Sequence, residues 1–141
     1  MKSIFRNILA LISGLVVGGI VNMGLIMISG FIIPPPEGAD ITTMEGLQES
    51  IHLFQPRHFL MPFLAHSLGT LVGALITAYV ADASKTKWAL AVGGVFLIGG
   101  ITNLIALPSP LWFNIVDLVG AYIPMAYLGA LLANKIQNKD L

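Results

Sequence analysis

The sequence predicts an all-α integral membrane protein: a four-transmembrane-helix bundle built from two parallel helical-hairpin repeats, with a short amphipathic helix on the periplasmic surface. Three observations carry this expectation. Of the 141 residues, 56% are hydrophobic and 10% charged, and the apolar runs are long enough to cross a hydrocarbon core, which takes about 20 helical residues. The stretch LALISGLVVGGIVN at 9–22 returns as LAVGGVFLIGGITN at 90–103, with six of fourteen positions matching and Gly-Gly-Ile-x-Asn as the shared core. Lys2, Arg6, Lys85, Lys87, Lys135 and Lys139 fall on one side of the resulting layout, and Arg57 alone on the other. Such an excess of basic residues marks the cytoplasmic side.

The length suits a single transmembrane domain, residues 1–141. The net charge of zero carries little information, because placement rather than sum orients a membrane protein. There is no cysteine, which excludes disulfides, thiolate catalysis and thiolate metal sites. The opening Met1-Lys2-Ser3-Ile4-Phe5-Arg6 imitates a secretory signal, but the apolar run continues to Ile33, past the 7–15 residues of a signal core, and reads as a retained first span.

The first span is expected at residues 4–33, where Pro34-Pro35-Pro36 ends it by removing N–H donors and fixing φ. Thirty helical residues measure roughly 45 Å against a core of about 30 Å, so this span must tilt, kink or protrude. Residues 34–57 form the one substantial polar segment. Within it Thr42 and Glu45 have capping-box spacing, and Met44, Leu47, Ile51 and Phe54 recur at helical intervals up to Pro56, the pattern of a short interfacial helix. The second span is expected at 59–80, followed by the tight turn Asp82 to Lys87. The third is expected at 88–107, ending before Pro108-Ser109-Pro110, and the fourth at 111–133. Four spans place both termini on one side. Trp88 and Trp112 fall near opposite interfaces, where an amphipathic indole is favoured.

The repeat extends faintly to the returning spans, aligning His66-Ser67-Leu68-Gly69 with Asp117-Leu118-Val119-Gly120 and Phe59 with Pro110. That arrangement predicts a pseudo-twofold axis along the membrane normal. Gly14 and Gly18, Gly69 and Gly73, and the pair Gly99 and Gly100 are expected to let helix backbones approach closely. Pro124 in the middle of the fourth span should kink it and free a carbonyl near Tyr122.

Within the spans the sequence places one carboxylate, Asp117, and one imidazole, His66, each seven residues past the outer start of its helix. That is about 10 Å inward for both, so they can meet at equal depth. A carboxylate at the bilayer centre costs on the order of 2.5–3.5 kcal/mol on insertion scales, which favours a partner, water or protonation. Asn114 lies one turn before Asp117, Thr70 one turn after His66, and Asn22 and Asn103 reach comparable depth. These six are the ligand or proton-relay candidates, and the competing reading is that they glue helices together at about 0.6 kcal/mol per hydrogen bond. Glu45, Glu49 and His52 share the polar face of the surface helix. Their spacing covers only half of a di-iron carboxylate set, so a solvated acidic face is the expected role and no metal or other cofactor is expected. No phosphate loop, dinucleotide fingerprint, HExxH or serine elbow is present, and scattered basic residues contradict nucleic-acid binding.

Four pieces, Pro34-Pro35-Pro36-Glu37-Gly38, His52-Leu53-Phe54, Phe63-Leu64-Ala65-His66-Ser67-Leu68-Gly69-Thr70 and Pro108-Ser109-Pro110-Leu111-Trp112-Phe113, give the chain its character. In this the chain resembles small four-span bacterial inner-membrane proteins. The resemblance covers most of the chain and implies a multi-pass inner-membrane location with both termini cytoplasmic, and it brings no activity. The expected function is a non-enzymatic membrane accessory or assembly protein with glycine-mediated helix packing. The alternative is a small oligomeric transporter or channel using the polar cluster around Asp117 and His66. An intramembrane enzyme comes third, for want of a nucleophile or metal set. The expected partners are the lipid bilayer and either further copies of the chain or another membrane protein.

Overall fold

The computed structural model describes residues 2–139, and among them every regular element is helical. Helix α1 is Lys2–Ile32, α2 Met44–Ser50, α3 Leu60–Val80, α4 Lys85–Ala106, α5 Leu111–Gly120 and α6 Ile123–Gln137; 3₁₀ turns at Ile51–Leu53 and Pro56–Phe59 join α2 to α3. Four segments, Ser3–Ile32, Pro56–Val80, Lys85–Ala106 and Leu111–Gln137, are long and apolar enough to cross a membrane. The fourth runs four residues beyond its expected end at 133, and α4 starts three residues before Trp88.

The helices converge at the end of the bundle that holds the termini, because their interior there is built from the smallest side chains. Ala74, Ala78, Ala89, Ala126, Ala130 and Ala133 are all fully buried around Val92. Glycines set the antiparallel register of α1 on α3. A Cβ on Gly14 would lie 2.4 Å from Gly73 O, and one on Gly18 2.5 Å from Gly69 O. The reciprocal additions at Gly69 and Gly73 would strike the backbone of α1 at Gly18 and Gly14. One turn nearer the termini, Thr77 donates its hydroxyl to Ala10 O at 3.1 Å, an interhelical bond that the close approach permits. Gly129 likewise meets Leu71 O of α3, and Gly93 meets Ala126 of α6.

Gly99 departs from expectation. A Cβ there would meet nothing within 4 Å, whereas its neighbour Gly100 lies against the Tyr122 ring. The reason is geometric: on this turn of α4 the buried position facing Tyr122 is Gly100, and Gly99, one residue further round the helix, is exposed. Gly18 and Gly99, matched in sequence, therefore occupy unlike surroundings. Helix α3 is also the most enclosed span, 44% of its apolar window being buried against 11% for α1 and 17% for α4. So α1 and α4 are the peripheral helices.

Turns at the terminal end are pinned by side chains. Arg6 donates to Val80 O (2.9 Å), satisfying a carbonyl at the end of α3, and buried Asn7 accepts from Asp82 N (2.8 Å). Lys85 and Gln137 pair α4 with α6, and Gln137 donates to Tyr79 O. At the opposite end, residues 33–59 fold over the bundle as a cap. The N-cap of α2 is Thr43, which accepts from Gly46 N (3.0 Å), one residue later than the Thr42–Glu45 box anticipated. Asp40 is the cause, since its Oδ1 accepts from both the hydroxyl and the N–H of Thr42 (2.6 and 2.8 Å). These two bonds hold the exposed Asp40 carboxyl below the usual carboxylate range. Gln48 donates to Ala106 O (2.7 Å), tying the cap to α4, and Phe59 anchors its end against Phe113, ring centroids 4.8 Å apart.

Candidate functional site

Beyond the glycine seam the helices no longer touch on all sides, and a cavity of about 710 Å³ opens between α1 and α4. It starts where Phe96 reaches Gly18. Its back wall is α3, with Met61, Pro62, His66 and Thr70, and Tyr122 closes the inner end. Helix α1 contributes Asn22, Met23 and Ile26, while α4 contributes Gly99, Gly100 and Asn103. The cap forms the roof through Met44, Leu47, Ile51 and Phe54, the same residues whose helical spacing marks an apolar stripe in the sequence. Met23, Gly99 and Asn103 are exposed, so the cavity is open along the α1–α4 seam.

Its polar terminus is a three-residue cluster. His66 Nδ1 lies 2.8 and 3.0 Å from the two carboxylate oxygens of Asp117, and Tyr122 donates its hydroxyl to Oδ2 at 2.9 Å. The His66 and Tyr122 rings stack at 5.8 Å with 28° between their planes. Asp117 is only 5% exposed, shielded from the cavity by these two partners. Because a carboxylate accepts, Nδ1 carries a hydrogen, and the remaining ring atom, Nε2, is left for the cavity. Nε2 has no hydrogen-bond partner among the described residues and is not sealed off from its surroundings.

The glycine register brings Asn22, another lining residue, to the stretch of α3 that carries His66. The pairs Ala10–Thr77, Gly14–Gly73 and Gly18–Gly69 continue by one turn to Asn22 opposite Ala65, the neighbour of His66. The contact agrees, since a Cβ on Gly69 would lie 2.8 Å from Asn22 Cβ. The Asn22 Oδ1 is buried without a partner among the described residues. Thr70 lines the cavity, but its hydroxyl donates to His66 O in its own helix (2.7 Å). Asn103 lines the cavity from α4. Asn114 does not line this cavity: its amide donates to Ser109 O (3.2 Å), and it borders a small separate crevice with Asp117 and Asn103.

Tyr122 is the functional-looking residue that spacing conceals. In an unbroken helix, five residues place it about 140° around from Asp117. The chain instead breaks between α5 and α6, with Tyr122 at φ −114° and ψ −78°, and this swings its hydroxyl back to the carboxylate. The signal was present as Pro124, which here sits in the first turn of α6.

His58, 7% exposed, sits under the roof with its Nδ1 accepting from Gln55 N (2.8 Å). Its Nε2 therefore carries hydrogen and is buried without a partner among the described residues. On the cap surface, Glu45, Glu49 and His52 stay exposed, and His52 Nδ1 bonds to Glu49 O rather than to a carboxylate. No group of three or more His, Asp or Glu side chains is placed to hold a metal ion among the described residues. Comparison with protein-family models, with curated proteins and with solved structures finds no match.

Proposed function

We propose that this protein is a small membrane carrier or binding protein that takes a small molecule into the cavity between α1 and α4, with His66, Asp117 and Tyr122 as its polar terminus. The observation that carries the reading is the conjunction of about 710 Å³ of mainly apolar space with a lining imidazole, His66, that is bonded to Asp117 through Nδ1 alone. Cavities of roughly 300–1,000 Å³ with a few convergent polar groups are the usual form of a small-molecule site. Helix glue accounts for Asp117 and His66 as a pair but leaves the space beside them unexplained. The chemistry is binding rather than catalysis, since the cluster offers no activated nucleophile.

The same reading places the chain in the bacterial inner membrane, with both termini in the cytoplasm and the cap in the periplasm. Its support is the distribution of charge. Arg6, Lys85, Lys87, Lys135 and Lys139 lie at the end of the bundle where α3 meets α4, and Arg57 lies at the capped end. The two hairpins descend in this view from one duplicated unit whose packing has since diverged, as Gly18 and Gly99 illustrate. Kinship with small four-span bacterial inner-membrane proteins belongs to the same proposal.

An accessory role is the second reading, favoured by α1, whose apolar window is only 11% buried and which offers a long face to a partner helix. Native mass spectrometry of protein released directly from its membrane separates the two. A carrier shows a small-molecule adduct at fixed stoichiometry per chain. A chain always free of adduct, and always accompanied by a second protein, overturns the carrier reading and favours the accessory one.

A further inference from the structure

Resting on the cavity as a binding site, we infer that its ligand is an uncharged, largely apolar molecule bearing a hydroxyl, of the alcohol, phenol or hydroquinone class, which donates that hydroxyl to His66 Nε2. Charge is excluded by the lining. It contains no Lys, Arg, Asp or Glu, and the nearby carboxylate of Asp117 has its oxygens engaged by His66 and Tyr122. A charged head group would enter a low-dielectric space with no counter-charge, at a cost that a neutral polar group avoids.

Donor and acceptor bookkeeping then selects a hydroxyl. With Nδ1–H bonded to Asp117, Nε2 is the acceptor of the imidazole in its neutral form. Asn22 Oδ1, one helical turn of register away, is a second acceptor without a partner among the described residues. The neighbouring hydroxyl donors are already committed, Thr70 to His66 O and Tyr122 to Asp117. The inner end thus offers acceptors at His66 Nε2 and Asn22 Oδ1 beside the amide donors of Asn22 and Asn103, and a ligand hydroxyl, which both donates and accepts, answers both. Under the roof the requirement reverses. His58, a lining residue, has a buried Nε2–H without a partner among the described residues, and an oxygen acceptor on the far part of the ligand, such as a second hydroxyl or a carbonyl, would satisfy it. The open seam between α1 and α4 gives such a molecule a route from the bilayer.

The test uses the full chain in phosphatidylcholine nanodiscs and a chain-matched set of probes: 1-dodecanol, its methyl ether, dodecane, dodecanoate and dodecylammonium. Thermal unfolding is followed as each is titrated. The expected result is a saturable rise of the unfolding midpoint with 1-dodecanol alone, since only ligands that bind the folded state stabilise it. The blocking variant is Gly99→Leu, which adds a side chain at an exposed lining position at the mouth of the cavity, where nothing lies within 4 Å of its Cβ, and so leaves the bundle packed. It should retain or raise the unliganded midpoint while weakening dodecanol binding at least about tenfold, as should His66→Leu. An equal response to the methyl ether or dodecane overturns the hydroxyl-donor assignment. A stronger response to either charged probe overturns the neutral class but leaves the cavity as the site. A dodecanol response undiminished in Gly99→Leu overturns the cavity itself, and with it the carrier reading. No response to any probe, alongside a native adduct that Gly99→Leu abolishes, overturns the ligand class alone.

Discussion

Tyr122 donates its hydroxyl to Asp117 Oδ2 at 2.9 Å across the break between α5 and α6, so the interruption of the fourth span and the burial of its carboxylate are one feature. Without the break Asp117 would keep His66 as its only side-chain partner. Hydrogen bonds to charged groups contribute about 1.5–3 kcal/mol. Tyr122→Phe is therefore expected to destabilise the folded protein by about that amount, because it keeps the ring stacked on His66 and removes only the donor. An unchanged denaturation midpoint in detergent would show the carboxylate to be satisfied without it.

The His66–Asp117 contact is testable as a coupling. Removing one partner of a buried pair strands the other, at about 3–5 kcal/mol, so His66→Leu and Asp117→Leu should each be costly. The double variant leaves only the Tyr122 hydroxyl without its acceptor and strands neither member of the pair, so it should cost less than the sum of the two, with an interaction energy of about 0.5–3 kcal/mol. Additive losses would mean that the two side chains do not share a bond in the membrane.

The glycine seam gives a prediction with an internal control. Gly69→Leu and Gly73→Leu put side chains into the backbone of α1, where no rotamer clears Gly18 O or Gly14 O. Overpacking costs about 1–3 kcal/mol, occasionally more, and here it pushes apart the most extensive helix pair. Gly19→Leu and Gly94→Leu, with nothing within 4 Å of either Cβ, should be neutral or mildly stabilising, since Gly is about 1 kcal/mol worse than Ala inside a helix. Equal tolerance at all four positions, read from unfolding midpoints, would remove the seam as the organising contact.

Four membrane-length helices, the short helix α2 and the meeting of His66 with Asp117 were legible in the sequence because each rests on a local regularity: run length, 3.6-residue spacing and distance from a helix start; that α2 roofs a cavity was not. The Gly14, Gly18, Gly69 and Gly73 motifs were legible for the same reason. Gly99 was not, because a glycine's role depends on what lies opposite, and no spacing reveals that Gly100 rather than Gly99 is the position facing Tyr122. Tyr122 lies on the wrong face of any continuous helix, so only the amount of rotation at the Pro124 break could place it. The cavity itself is a difference between two packing regimes, alanine and glycine at one end and Phe59, Phe96 and Phe113 at the other. That difference appears only once the helices are set side by side.

Acid should loosen the cap before the bundle. The two Thr42 bonds hold the Asp40 carboxyl below the usual carboxylate range, so this carboxylate contributes to the cap's stability above that range. The contribution is lost as pH falls through the lower, folded value. Thr42→Val removes the hydroxyl that is the larger cause of the shift and should move the Asp40 titration upward, towards that range. Amide hydrogen exchange of residues 40–50, measured down to pH 3 against that variant, reads the effect. A titration of Asp40 unmoved in Thr42→Val would mean that the Thr42 backbone N–H alone sustains it.

The orientation follows from which end holds the cations, and its test also bears on the cavity. A reporter that is active only outside the cytoplasm should work when fused at Asp40 and fail at Ser84, while a cytoplasmic reporter should show the reverse. Ser84 is part of the turn pinned by Arg6 and Asn7, so a fusion there is best compared with one after residue 139, which shares the same end through the Lys85–Gln137 pair. Moving charge should move the topology: replacing Arg6, Lys85 and Lys87 by Gln while adding three Lys to residues 37–45 is expected to yield a mixed population, because short loops orient by their Lys and Arg content. In the proposed orientation the cavity lies on the periplasmic side of the glycine seam. A thiol reagent unable to cross the membrane should then modify Asn103→Cys from the periplasm and not from the cytoplasm. Labelling from the cytoplasmic side, with Asp40 fusions active inside, would invert the molecule and turn the cavity towards the cytoplasm.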